Sequence, residues 1–131
     1  MIWKYHTILY VDDQQRSSVF YEAVLEQKPR LHVPGMTEFE ITPNAILGLM
    51  PKADIVELLE SGRPDAAAPD GLMRAELYLM VENPEAYYHR ALEAGAKAIS
   101  DLAVRNWGHV AAYCLDPDGY VLAFAAEAKP V

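Results

Sequence analysis

Two side chains able to transfer protons or to bind a metal begin two predicted strands of the chain. His6 begins the alternating stretch HTILYV at residues 6–11, and Glu76 begins ELYLMV at residues 76–81. An imidazole and a carboxylate on one wall can act as a general acid–base pair when they are partly buried. They can equally hydrogen-bond to each other or to water and take no part in a reaction. The choice depends on the elements that position them.

These elements follow one another in the same order in two halves of the sequence. Apolar periodicity changes from strand to helix and back to three strands in each half, which predicts an α+β domain, residues 1–131, of two tandem βαβββ modules. Module 1, residues 1–60, is predicted to contain a strand at 6–11, a helix at 14–27, strands at 30–33, 37–41 and 45–50, and a helix at 52–60. Module 2, residues 73–127, is predicted to contain a strand at 76–81, a helix at 85–95, and strands at 96–100, 108–115 and 120–126. A linker rich in proline, glycine and alanine, residues 61–72, joins them.

Laying one module over the other pairs four positions. His6 matches Glu76, and Gly48 matches Ala123. Side chains alternate faces along a strand, so these four positions share the face that points away from the helices. The opposite, helix-facing residues are predicted to be Thr7, Leu9, Val11, Leu77, Leu79, Val81, Leu122 and Phe124. If the two sheets curl toward each other, the four positions line the inner wall of a cleft.

Other side chains on the same face of the strands are better suited to binding a ligand than to catalysing a reaction. They are apolar, aromatic or adaptable, and they share the wall with one carboxylate. We therefore predict ligand contacts at Ile8, Tyr10, Ile46, Met50, Tyr78, Met80 and Val121. The alternative is that these residues only fill a core, since half of every strand in a layered β structure does so.

Composition narrows the classes of function. A net charge of −8, with scattered basic residues, disfavours nucleic acid as a partner. No apolar stretch is long enough to cross a membrane and the N-terminus lacks signal-peptide segments, so we expect a soluble cytoplasmic protein with no membrane partner. The single cysteine, Cys114, cannot form an internal disulfide and is predicted to be a small core residue.

Several stretches together resemble the vicinal oxygen chelate superfamily, which includes glyoxalases, extradiol dioxygenases and bleomycin- or fosfomycin-resistance proteins. They are HTILYVDD at 6–13, SVFYEAVL at 18–25, the repeat itself, and NWGHVAAYCLDPDGYVLAFA at 106–125. The resemblance implies a cupped mixed β-sheet with helices outside, a homodimer, and a small-molecule site inside the cup. It also adds Trp107 to the predicted ligand contacts, because Trp107-Gly108 resembles the Trp-Gly of bleomycin-resistance-like members, in which aromatics stack on ligand rings. The alternative is that Trp107 is a structural anchor at a dimer edge.

The resemblance further implies a metal quartet at His6, Gly48, Glu76 and Ala123 in the metal-dependent members. Here Gly48 has no side chain and Ala123 ends in a methyl group, so at most His6 and Glu76 could bind a metal. Two protein ligands rarely hold a divalent ion tightly, so we expect no resident cofactor and at most a weakly bound divalent metal. Substitute donors could come from other strand residues: His32, Glu40, His109 and Tyr113.

Three functions remain open. The first is metal-free binding of a small organic ligand, in the manner of the antibiotic-sequestering members. The second is a divergent lyase or dioxygenase-type enzyme that uses substitute ligands or the His6 and Glu76 pair directly. The third is a protein whose cleft is filled and whose role is assembly.

Overall fold

The computed structural model describes residues 1–54 and 75–129. Module 1 contains β1 (Tyr5–Val11), α1 (Gln14–Leu25), β2 (Leu31–Val33), β3 (Met36–Thr42) and β4 (Ala45–Pro51). Module 2 contains β5 (Glu76–Met80), α2 (Pro84–Glu93), β6 (Lys97–Val104), β7 (His109–Leu115) and β8 (Val121–Glu127). The predicted helix at 52–60 is helical over residues 52–54, and its remainder lies outside the described residues, as does the linker 61–72.

The two sheets have the same topology. Strand order is β1-β4-β3-β2 in module 1 and β5-β8-β7-β6 in module 2. In each module the first strand pairs in parallel with the last, and the remaining neighbours pair antiparallel. The parallel pair needs a long crossover, which contains the helix of each module. The predicted α+β fold of two tandem βαβββ modules is therefore confirmed.

Capping residues set the ends of both helices. The Asp13 carboxylate accepts a hydrogen bond from the Arg16 amide, and the Asn83 side chain does the same for Ala86. Each cap satisfies an amide that has no partner within its helix. Helix α1 ends at Leu25 rather than at the predicted residue 27, because Glu26 adopts a left-handed conformation with φ of 52°.

Strand β6 is longer than predicted. It runs over Lys97–Val104 instead of 96–100, and its pairing with β7 shifts register between Ala98 and Ser100 and again between Ser100 and Ala103. Such shifts break the period-2 alternation from which a strand is predicted. The Tyr88 hydroxyl donates to Asp101 at 3.0 Å and attaches α2 to this irregular stretch.

The core of each module lies between its sheet and its helix. In module 2, the ring of Phe124 on β8 lies 5.8 Å from that of Tyr87 on α2. In module 1, the buried hydroxyl of Thr37 on β3 is hydrogen-bonded to Ser18 and Gln14 of α1. These contacts identify the helix-facing side of each sheet, and the opposite side is called here the inner face.

The strand register supports the predicted alignment of the modules. Gly48 lies opposite Ile8 on β1, and Ala123 lies opposite Tyr78 on β5. The two pairs occupy equivalent places because both sheets have the same strand order. Among the described residues, no helix is both long enough and apolar enough to cross a membrane.

Candidate functional site

The register places the predicted site residues of each module on its inner face. On module 1 these are His6, Ile8, Tyr10, Ile46, Gly48 and Met50. On module 2 they are Glu76, Tyr78, Met80, Val121 and Ala123. Trp107 is not on a strand but in the turn between β6 and β7, where it is 53% exposed.

A polar triad of Glu38, Arg30 and His6 lies on the inner face of module 1. Glu38 on β3 faces Gly48 across the β3–β4 pairing, and its Oε2 lies 3.6 Å from Nδ1 of His6. Its Oε1 accepts from Nε of Arg30 at 2.9 Å and lies 2.8 Å from Nη2. This two-nitrogen pairing fits a guanidinium to a carboxylate closely. Sequence reasoning missed Glu38, which pairs with Arg30 and lies close to His6.

The surface beside Gly48 is narrow. A Cβ atom at this position would lie 3.2 Å from Cγ1 of Ile8 and 3.3 Å from Sδ of Met36. Both neighbours are apolar, Ile8 being stiff and Met36 flexible, and together they cover the glycine. The absent side chain at this position is therefore replaced by apolar packing rather than by a polar donor.

On the inner face of module 2, three polar aromatic groups meet at one oxygen. The Tyr78 hydroxyl lies 2.7 Å from Nδ1 of His109 on β7, and Nε1 of Trp107 donates to it at 2.9 Å. The rings of Tyr78 and His109 are 5.7 Å apart and tilted by 34°. Nε2 of His109 lies 3.9 Å from a carboxylate oxygen of Glu127. The predicted alternative metal donor His109 is thus part of an aromatic cluster.

Tyr113 and Arg105 complete this face. Tyr113 faces Ala123 across the β7–β8 pairing, and the Arg105 guanidinium lies 5.1 Å from the centre of the Tyr113 ring. Burial raises the pKa of the Tyr113 hydroxyl, and the negative charge of Glu76 raises it further. The charge of Glu76 therefore acts on the Tyr113 ring, which lies across Ala123 from Tyr78.

Ala123 lies between two tyrosines. It is paired with Tyr78 on one side and Tyr113 on the other, and it is completely buried. Its methyl group leaves room for the two phenol rings on neighbouring strands. The small side chain of β8 thus supports an aromatic surface.

The remaining candidates are dispersed. Nδ1 of His32 is hydrogen-bonded at 2.8 Å to Thr37, which places His32 on the helix-facing side of its sheet and away from the inner face. Glu40 lies on the inner face, paired with Ile46, and is exposed. Cys114 is fully buried, and burial raises the pKa of its thiol to about 11. The predicted core role of Cys114 is confirmed.

An open depression of 530 Å³ lies elsewhere in module 1, at the N-terminal end of α1. Its lining includes Asp13, Gln14 and His32. The Gln14 amide is already engaged, donating to the Val33 carbonyl and accepting from the Gly35 amide. None of the predicted inner-face residues lines this depression.

Within residues 1–54 and 75–129, no three His, Cys, Asp or Glu side chains lie close enough together to hold a metal ion. In module 1 the pair of His6 and Glu38 includes a carboxylate already bound to Arg30. In module 2 the inner face offers Glu76 and His109, but His109 is hydrogen-bonded to Tyr78.

The family model for the glyoxalase/bleomycin resistance protein/dioxygenase superfamily matches residues 5–124. The chain belongs to this superfamily. No curated protein matches it.

Solved structures share the fold at low identity. A glyoxalase-related enzyme from Fulvimarina pelagi is 18% identical, with a TM-score of 0.79 over 93% of this chain and 86% of that one. A glyoxalase/bleomycin resistance protein/dioxygenase family enzyme from Burkholderia phytofirmans PsJN is 19% identical, with a TM-score of 0.79 over 93% and 96%. A similar protein from Nocardioides is 23% identical, with a TM-score of 0.75 over 100% and 85%.

Proposed function

We propose that this protein binds a small organic molecule on the inner face of module 2, without a resident metal ion. The observation that carries the proposal is the junction of Tyr78, His109 and Trp107 at one oxygen. Hydrogen bonds hold these rings in fixed positions, and a preformed aromatic surface binds flat or apolar groups at a low cost in side-chain entropy. Sequestration of an antibiotic-like molecule is one role that such binding would serve.

The donor set supports the metal-free part of the proposal. Gly48 and Ala123 supply no donor atom, and the neighbouring Glu38 carboxylate already pairs with Arg30. Divalent metals need several nitrogen or oxygen donors to offset their dehydration. The residues present therefore do not fit the metal quartet that the family implies, although a weakly bound divalent ion remains compatible with His6 and Glu76.

Nuclear magnetic resonance of the two indole N–H groups tests ligand binding directly. The chain contains only Trp3 and Trp107, so the variant Trp3→Phe assigns both signals. A panel of small aromatic compounds, including indole and N,N-dimethylbenzamide, should shift the Trp107 signal and leave the Trp3 signal in place. No response at Trp107 to any compound would contradict the proposal and would favour the assembly role. Stoichiometric metal in the purified protein would overturn the metal-free part.

The second candidate, a divergent enzyme, is favoured by the contact between Glu38 and His6 at 3.6 Å. A carboxylate beside an imidazole orients it for proton transfer. This partner comes from the same module, in contrast to the predicted pairing of His6 with Glu76. Turnover of the hemithioacetal of methylglyoxal and glutathione, lost in His6→Gln, would favour the enzyme over the binding protein.

We further propose that the protein acts in the cytoplasm and forms a homodimer, the assembly that the family resemblance implies. Light scattering coupled to size-exclusion chromatography measures the assembly, with twice the chain mass of 14.6 kDa as the expected result.

A further inference from the structure

The polar atoms of the aromatic cluster are occupied by one another. The indole of Trp107 can only donate, so the Tyr78 oxygen is its acceptor. The arrangement that satisfies all three groups has Tyr78 donating its own proton to Nδ1 of His109. A ligand at this surface therefore meets the faces of the rings rather than free hydroxyl or imidazole groups.

Two carboxylates flank the aromatic surface: Glu127 lies 3.9 Å from Nε2 of His109, and Glu76 lies on β5. Within residues 1–54 and 75–129, no basic side chain pairs with Glu76, which is exposed at the start of β5. It lies two residues before Tyr78 on the same face. Arg105 adds a positive charge to the same face, and its guanidinium donates to the Ser100 hydroxyl and to the carbonyls of Asp101 and Ala111.

The rings themselves attract positive charge. The faces of tryptophan and tyrosine rings carry a negative partial charge that draws cations. The chain already shows this preference on the same surface, where the Arg105 guanidinium lies over the ring of Tyr113. The net charge of −8 adds a long-range attraction for cations and repels anions.

We propose that the ligand of this surface is an organic cation, an ammonium-type group on an aromatic or apolar body, with Glu76 as its counter-charge. This inference rests on the proposed function and specifies its ligand class. The cationic group lies against Glu76 and the ring faces of Tyr78 and Tyr113, and the apolar body extends over the aromatic surface toward Trp107.

Three probes that share a phenyl body and differ in charge test the proposal. They are benzyltrimethylammonium, the neutral N,N-dimethylbenzamide and the anion phenylacetate, each titrated against the Trp107 indole signal at low salt. The cation should bind about tenfold more tightly than the neutral probe, from the ring attraction and the nearby carboxylate together. Phenylacetate should bind most weakly, and 0.5 M salt should reduce the differences by screening.

Two matched variants locate the charge effect. Glu76→Gln should reduce the preference for the cation to about twofold, because only the ring attraction remains. Glu85→Gln removes the same charge from α2, on the opposite side of the sheet, and should leave the preference at its wild-type value. Thermal unfolding of both variants confirms that they are folded.

The outcomes separate the two proposals. If the neutral probe binds at Trp107 as tightly as the cation does, the ligand class is wrong while ligand binding stands. An equal loss of preference in Glu76→Gln and Glu85→Gln would also overturn the role of Glu76. If none of the probes, nor any compound of the aromatic panel, shifts the Trp107 signal, both proposals fall.

Discussion

In module 1, the inner face beside Gly48 carries His6 and Glu38; in module 2, the equivalent face beside Ala123 carries Glu76 and Tyr113. The two sets occupy matching strands, because both sheets have the same order and register. The acid of module 1 is neutralised by Arg30 and lies beside an imidazole. The acid of module 2 has no such ion pair among the described residues and lies beside aromatic rings.

The two modules therefore differ on the inner face of the sheet and are alike on its helix-facing side. The helix-facing side must fill a core, so both modules keep large apolar groups there, such as Leu49 in module 1 and Phe124 in module 2. The inner faces of the two modules differ in their polar and aromatic residues, although Ile46 and Ala123 are buried there too. The inner face of module 1 therefore carries an acid that Arg30 neutralises, whereas the inner face of module 2 carries aromatic rings and Glu76.

The largest expected effect lies on the helix-facing side. Phe124→Ala removes a fully buried ring that packs against Tyr87, and it should lower the free energy of unfolding by about 3–5 kcal/mol. Leu49→Ala at the equivalent place in module 1 should cost about 2–5 kcal/mol. Urea denaturation measures both. Val19→Ala, at a site 58% exposed, is the control and should change stability by less than about 0.5 kcal/mol.

If either core variant behaved like Val19→Ala, the helix-facing sides of the two modules would not be equivalent cores. The comparison between the modules would then extend to both sides of the sheet rather than to the inner face alone.

We expect that one substitution creates a metal site on the inner face of module 1. Gly48→Glu adds a carboxylate beside His6 and Glu38, and it requires Ile8 and the flexible Met36 to shift by a few tenths of an ångström from the new Cβ atom. Zinc at about 100 times its Kd should then raise the free energy of unfolding by about 2.7 kcal/mol. Thermal unfolding with and without zinc measures this gain.

Gly48→Gln is the matched control, because it has the same size but lacks the charge that a hard cation prefers. Equal zinc responses in Gly48→Glu and Gly48→Gln would show that the side chain at this position does not reach His6 and Glu38.

Alkaline pH should weaken module 2 through a residue that module 1 lacks. Cys114 has a raised pKa of about 11, whereas Phe39 stands at its equivalent on β3. The folded thiol keeps its proton while the unfolded thiol loses it from about pH 9, so stability is retained below pH 9 and falls as the pH rises toward 11. The loss should reach about 2 kcal/mol at pH 11, and Cys114→Ala should remove that part of the pH dependence.

Denaturation curves at pH 8, 10 and 11 for the two proteins measure this difference. Raised pKa values of Tyr88 and Tyr113 add an alkaline loss that both proteins share, so the difference isolates the thiol. Parallel pH profiles would mean that Cys114 is accessible to water in the native state.

The sequence predicted the faces of the strands well and the contacts between them poorly. Period-2 alternation and the repeat were sufficient to align Gly48 with Ala123, because both can be read directly from the pattern of residue types. Glu38 was missed since it alternates with Phe39 in the same way as Glu40 does, and only the pairing with β4 and the approach of Arg30 distinguish the two acids. The meeting of all four quartet positions around one cleft stays a prediction.

Trp107 illustrates the same limit. Its role was inferred from a resemblance, but its bond to Tyr78 joins residues 29 positions apart through a turn that no periodicity encodes. The predicted end of β6 was also wrong, because two register shifts interrupt the alternation from which the strand was predicted.

The smallest expected effect concerns the triad that distinguishes module 1. Glu38→Gln removes the charge that pairs with Arg30 and faces His6, and it should lower the free energy of unfolding by about 1 kcal/mol. The effect is modest because the Arg30 side chain is 36% exposed, so water screens its charge. Glu40 lies on the same strand and face as Glu38 but forms no ion pair with a described residue. Glu40→Gln should therefore change the free energy of unfolding by less than about 0.5 kcal/mol. Should urea denaturation give equal values for the two variants, Glu38 would be no more than a solvated surface acid, and the inner faces of the two modules would differ in their aromatic rings alone.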